Sequence, residues 1–228
     1  MKVAGLVPFT TIDFPEKLAA VVFFQGCPLR CPFCHNPNLQ PFDKTGMMAW
    51  DDVVSFLSGR KKRLDGVVFS GGEPLMQPDI KELVEEIKNL GFQVAIHTSG
   101  VYPKRLESII SLVDWVGLDV KAPKEKYNLL TGCKNVSENV YETLQLLLDK
   151  KKKFEVRTTL DPRYLSIKDI FDLAAELKNF SVETYALQKY RTFEGDKNPP
   201  SQFEIDSFFE NEELISYLKN SFNHLILR

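Results

Sequence analysis

Cysteine is scarce: four residues occur in a chain of 228, and one stands far from the other three. That pattern carries no disulfide framework, and no secretory signal opens the sequence. Reduced thiols and a cytoplasmic location are therefore expected. No apolar run approaches the roughly 20 residues needed to span a bilayer, so no membrane partner is expected. Neither charge sign dominates, with 29 Lys and Arg against 31 Asp and Glu. Without a global basic field, nucleic acid is not expected as a partner. Two local basic runs, 60–63 and 150–153, fall where helices should end, and cations there complement the helix dipole. No repeat, linker or low-complexity segment interrupts the chain, so one domain over 1–228 is expected. Hydrophobic residues make up 43%, and 17 Phe supply much of the volume of a sizeable core.

Short apolar runs alternate with helical periods. Strands are expected at 19–24, 66–69, 93–97, 115–120, 154–160 and 182–187, with a possible last one at 224–227. Each is apolar on both faces and often β-branched, as buried parallel strands are. Between them, Ile80, Leu83, Val84, Ile87 and Leu90 form an amphipathic stripe that Gly91 should terminate. Val140, Leu144 and Leu147 form another, with Ser137 as its expected N-cap. Ser166 and Asp169 suggest a capping box for a third. Six βα units imply an α/β fold with a parallel sheet: an open, partial (β/α)6 TIM-like barrel.

The remaining cysteines crowd together. Cys27, Cys31 and Cys34 follow the first strand at C-x3-C-x2-C spacing. Three thiolates without a fourth neighbour would hold a four-iron cluster and leave one iron open to a ligand. Structural zinc with His35 as fourth ligand is the rival, but His35 adjoins Cys34, an awkward bite for a tetrahedron. Buried free thiols are the bland alternative, yet Pro28, Arg30, Pro32 and His35 make the loop polar and turn-rich. Metal binding is the better reading.

The loop resembles that of radical S-adenosylmethionine (SAM) enzymes, whose three loop cysteines ligate a [4Fe–4S] cluster while the open iron chelates SAM. Gly71, Gly72, Glu73 and Pro74 resemble that superfamily's motif after the second strand. Asp119 and Lys121 resemble the Asp-x-Lys strand end of the glycyl-radical-enzyme activases, and Thr11 to Pro15 and Cys34-His35-Asn36 also read like activases. The resemblance implies that Phe33 lies beside the adenine, and that Gly71, Gly72, Glu73, Pro74, Ser99, Asp119, Lys121 and Arg157 bind SAM. It implies an enzyme that cleaves SAM reductively to a 5′-deoxyadenosyl radical and abstracts hydrogen from a glycine of a partner. The most similar group is the longer anaerobic ribonucleotide reductase activases, with a flavodoxin- or ferredoxin-type electron donor.

One departure stands out. Where the pyruvate formate-lyase type carries Asp at the third strand end, this chain carries His97, which puts a monovalent cation site there in doubt and reads equally as a hydrogen-bonded core histidine. Cys133, a lone Cys after Gly132, is expected to pack rather than ligate. The segment 188–200 is expected to form a mobile rim. Two alternatives stay open: a radical SAM enzyme acting on a small molecule such as a deazapurine precursor, and an iron–sulfur electron-transfer or zinc-binding module.

Overall fold

Every apolar run expected to be a strand is one, in a computed structural model that describes residues 2–44, 48–193 and 195–228. They are β2 (Ala19–Phe24), β3 (Gly66–Gly71), β4 (Gln93–Thr98), β5 (Trp115–Asp119), β6 (Phe154–Leu160), β7 (Thr184–Lys189) and β8 (His224–Leu227). All pair in parallel, in chain order. An eighth strand, β1 (Val3–Thr10), pairs antiparallel with β2 and was not expected. Its Gly5 and Pro8 read as turn residues, but at a sheet edge proline costs no ladder hydrogen bond. The sheet runs from β1 to β8 without closing, as expected of an open barrel.

Helices cover the outside: α1 (Trp50–Ser58), α2 (Ile80–Asn89), α3 (Pro103–Ile109), α4 (Tyr127–Thr131), α5 (Val136–Asp149), α6 (Ile167–Asn179), α7 (Gln202–Phe209) and α8 (Glu212–Ser221). Gly91 follows α2 at φ +94°, and Ser166 and Asp169 form the reciprocal capping box of α6. Ser137, however, lies within α5; the helix starts behind Asn135, which adopts a left-handed conformation that Asn tolerates. Strand β7 lies two residues later than expected, which takes Gln188 and Lys189 out of the following loop. Among the described residues no helix is long and apolar enough to cross a membrane.

Alternation divides the strands between two cores. Outward residues such as Val22, Phe24, Val67, Phe69, Val94 and Ile96 join the large core under the helices. Inward, Ala19, Val21, Val68, Ala95 and Trp115 form a small separate cluster with Phe14. The Phe14 ring stacks on Trp115 at 6.1 Å and plugs the barrel floor. Gly66 makes room for it, since a Cβ there would stand 2.8 Å from the ring. The phrase around Asp13 thus supplies the floor on which the site rests.

Candidate active site

Above that floor the inward residues turn polar toward the strand C-termini, where βα barrels build their working faces. Ser70, His97, Asp119, Arg157, Thr159 and Gln188 line a cavity of about 350 Å³, together with Cys27, Cys31, Phe33, Cys34, Gly71, Gly72, Ser99 and Lys121. Eight of the expected site residues besides Arg157 and Asp119 therefore converge on one space, while Glu73 and Pro74 do not line it. Ser70, Thr159 and Gln188 were missed, although the period of two that links Asp119 to Lys121 also leads to them.

The cysteine loop is held by its own backbone and by neighbouring segments. Gly26 N–H donates to the Leu39 carbonyl (2.8 Å), Cys27 N–H to Gln40 (3.1 Å) and Arg30 N–H to Thr131 (2.8 Å). The Gln25 amide donates to the carbonyls of Asn38 and Pro41, closing the loop's return. The Arg30 guanidinium donates to the carbonyls of Cys27 and Leu29. Cys27 and Cys31 are buried and Cys34 half-buried. Burial, with Glu73 adding to it, pushes the Cys27 thiol up to about 12, and burial also pushes the Cys31 thiol up. Metal coordination removes such protons outright, and a buried all-thiolate set suits iron–sulfur chemistry. The Lys121 ammonium, which favours thiolate at both positions, adds to the fit. A single tetrahedral ion would need its sulfurs about 4 Å apart. Among the described residues no three His, Cys, Asp or Glu converge in that way.

Two residues weighed as further ligands are engaged elsewhere, Cys133 packing as expected. His35 Nε2 accepts from Arg191 N–H at 3.2 Å, and burial and then Arg191 lower its basicity, so the ring is neutral and engaged with the rim. The Cys133 thiol donates to the Pro28 carbonyl at 3.2 Å and packs behind the loop, outside the cavity lining.

The glycine pair joins two loops. At Gly71, φ is +116° and a Cβ would meet Phe24 N at 2.2 Å. At Gly72 a Cβ would stand 2.1 Å from the Gly26 carbonyl oxygen and 2.7 Å from that of Leu39. Gly72 is therefore needed for contact with the cysteine loop. Glu73 is fully buried and differs from expectation. Its Oε1 accepts from Leu75 N–H (3.1 Å) and Thr98 Oγ1 (2.7 Å), and its Oε2 from Ser99 N–H (2.8 Å) and Oγ (2.5 Å). Burial pushes this carboxyl up, against four hydrogen bonds that favour the carboxylate. It ties the β3 loop to the end of β4. Pro74 starts the short turn that follows, where its missing N–H costs nothing.

On the opposite wall, Arg157 Nε donates to Asp119 Oδ1 at 2.9 Å, and Lys121 Nζ to Oδ2 at 3.4 Å. The guanidinium lies over Gly117, where a Cβ would meet it at 2.8 Å. Burial opposes ionisation of Asp119, but Arg157 and Lys121 outweigh it and hold the carboxyl down to about 2. Against the same burial penalty, Asp119 and the cysteine sulfurs keep Lys121 protonated.

His97 proves to be the hydrogen-bonded histidine. Its Nε2 lies 2.8 Å from the Asp13 carbonyl, so that nitrogen carries the proton, and its ring packs edge-on to Trp115 at 5.7 Å. Burial, reinforced by Arg157, pushes the imidazole from 6.5 down to about 3. Between those values the unfolded chain binds a proton the folded protein refuses, so stability falls as pH drops through this window, by up to about 1.4 kcal/mol per unit. His97→Gln keeps a donor for Asp13 and should flatten apoprotein urea-melt stability between pH ~6.5 and ~5. Equal slopes in the two proteins would show that His97 carries no such penalty.

Phe33 is buried, with its ring 6.2 Å from Tyr164. In the rim after β7, Arg163 donates to Asp196 Oδ1 at 2.8 Å and to the Asn198 carbonyl at 2.7 Å.

Comparison with known proteins agrees with this geometry. The family described as the radical SAM superfamily matches residues 21–174. A Methanocaldococcus jannaschii protein provisionally named a glycyl-radical enzyme activating enzyme is 32% identical, over 99% of this chain and 95% of its own. The pyruvate formate-lyase-activating enzyme of Clostridium pasteurianum is 32% identical over 79% of this chain and 78% of its own. Among solved structures, Streptococcus suis SuiB bound to its precursor peptide SuiA superposes with TM-score 0.73 at 17% identity, over 95% of this chain. The chain spans about half of SuiB's length, the covered share being 49%. Escherichia coli QueE superposes with TM-score 0.57 at 15% identity, over 99% of this chain and 92% of its own. At such identities the structures show a shared fold.

Proposed function

This chain belongs to the radical SAM superfamily and is an enzyme that generates radicals, and we propose that it activates a glycyl-radical enzyme, specifically an anaerobic ribonucleotide reductase. The observation that carries the activase reading is the near full-length similarity to the Methanocaldococcus jannaschii protein, supported by similarity to pyruvate formate-lyase-activating enzymes. The reductase as partner, and a flavodoxin or ferredoxin as electron donor, rest on the motif resemblance of the sequence.

Cys27, Cys31 and Cys34 hold the [4Fe–4S] cluster in this proposal. The loaded cluster and SAM together supply reductive cleavage to methionine and a 5′-deoxyadenosyl radical. The chain's own residues bind and orient. SAM brings an ammonium, a carboxylate, a sulfonium, a ribose and an adenine, and the cavity offers matching groups. Asp119 keeps acceptor capacity beyond its bonds to Arg157 and Lys121, and its carboxylate is ionised at any working pH. Lys121, on a long 3.4 Å contact, has donors to spare for a carboxylate. Gly71 and Gly72 offer backbone groups, Ser99 a hydroxyl and Phe33 an apolar ring. Glu73 and Pro74 act from behind, by placing Ser99 and the glycine turn.

Anaerobically reconstituted protein with a low-potential reductant should convert SAM to methionine and 5′-deoxyadenosine. Adding an anaerobic ribonucleotide reductase should produce a glycyl-radical electron paramagnetic resonance (EPR) doublet. Cleavage without that doublet would replace the partner; no cleavage at all would sink the reading.

A further inference from the structure

The Arg163 guanidinium sits at a junction the cavity lining does not include. Its Nε donates to Asp161 Oδ1 at 2.9 Å and its Nη2 to Asp161 Oδ2 at 2.6 Å, a two-point pairing with a fully buried carboxylate just beyond β6. Its Nη1 reaches across to the rim, to Asp196 Oδ1 at 2.8 Å and the Asn198 carbonyl at 2.7 Å. Two aromatic rings flank it, Tyr190 at 4.8 Å and Tyr164 at 5.5 Å. The Tyr190 hydroxyl also donates to Asp196.

Each ring leads to the cysteine loop. Tyr164 lies 6.2 Å from Phe33, and Tyr190 lies 5.8 Å from His35, whose Nε2 accepts the next residue's N–H. Phe33 and His35 both line the cavity, and so does Arg191. One planar cation thus joins the end of β6, the rim after β7 and one wall of the cavity. Lysine, a point charge without a fork, cannot make the same set of bonds.

We infer that Arg163 is a positioning residue that clasps the rim against the Phe33–His35 wall and thereby sets the cavity's affinity for SAM. The inference rests on the proposal that this cavity binds SAM. Without the Asp196 arm the rim retains its backbone but loses the ion pair that holds it down, so the wall samples geometries that do not match the ligand. Asp196→Asn removes that arm and leaves the Arg163–Asp161 pair intact. Arg163→Gln strands the buried Asp161 carboxylate and risks unfolding. The double variant Asp161→Asn/Arg163→Gln removes both charges and keeps the test open.

The measurement is equilibrium binding of SAM to the reconstituted, cluster-loaded protein, with iron and sulfide content as the loading control. Asp196→Asn and the double variant should load iron normally and bind SAM about tenfold more weakly, with KM for SAM raised and kcat at saturation little changed. In the apoproteins, proteolysis within the rim should accelerate. A purely structural clasp would lower the melting temperature and leave the SAM dissociation constant alone. Affinities within twofold of the wild type in both variants would overturn the inference. Failure of the cluster-loaded wild type to bind SAM would instead overturn the reading beneath it.

Discussion

Cys27→Ala, Cys31→Ala and Cys34→Ala should each leave reconstituted protein essentially without iron and sulfide, whereas Cys133→Ser should load in full. The first three thiols line one cavity, and the fourth is turned away to the Pro28 carbonyl. Removing one thiolate from a set of three leaves an iron without a protein ligand in addition to the one meant to stay open. Serine at 133 keeps a donor for Pro28, so the loop retains that tie. Iron and sulfide analysis of the four proteins checks this directly. Loss of iron from the Cys133 variant would mean that this thiol moves onto the cluster, and the open-iron site would have to be abandoned.

Gly72→Val should cost the protein both its cluster loading and several kcal/mol of stability. A Cβ at this position would stand 2.1 Å from the Gly26 carbonyl oxygen, and the obstacle is backbone. Overpacking in a well-packed interior typically costs about 1–3 kcal/mol, and here no flexible side chain can yield. Glu73 N–H also donates to the Gly26 carbonyl at 2.9 Å, so moving the loops apart sacrifices that bond and the Glu73 network with it. Because Gly26 immediately precedes Cys27, the displaced segment is the cysteine loop itself. Thermal melts of the apoprotein and iron loading should fall together, and Gly72→Ala should show the same effects to a smaller degree. Full loading and an unchanged melt, with only the EPR response of the reduced cluster to SAM abolished, would put the missing side chain against the ligand after all.

The parallel strands, the order of the motifs and the gathering of three thiols in one loop were legible in the sequence for local reasons. Strands buried on both faces read as short apolar runs, and three cysteines within eight residues need no folded chain to be noticed. Asp119 and Lys121 could be paired because two residues along a strand share a face. Three things depended on the packed structure. The edge strand β1 was hidden because its Gly5 and Pro8 carry turn signals that only an edge location overrides. Glu73 reads as a cofactor carboxylate until all its hydrogen bonds are seen to go to Leu75, Thr98 and Ser99, up to 26 residues away. Arg163 gives no sequence signal at all, since its partners Asp196 and Asn198 lie more than 30 residues on and meet it only when β6 and β7 pair. Period and spacing report what a segment does with its neighbours along the chain. Which charge ties a strand end to a distant segment, as Arg163 does with Asp196, is decided by long-range pairing, and the sequence by itself carries no local trace of it.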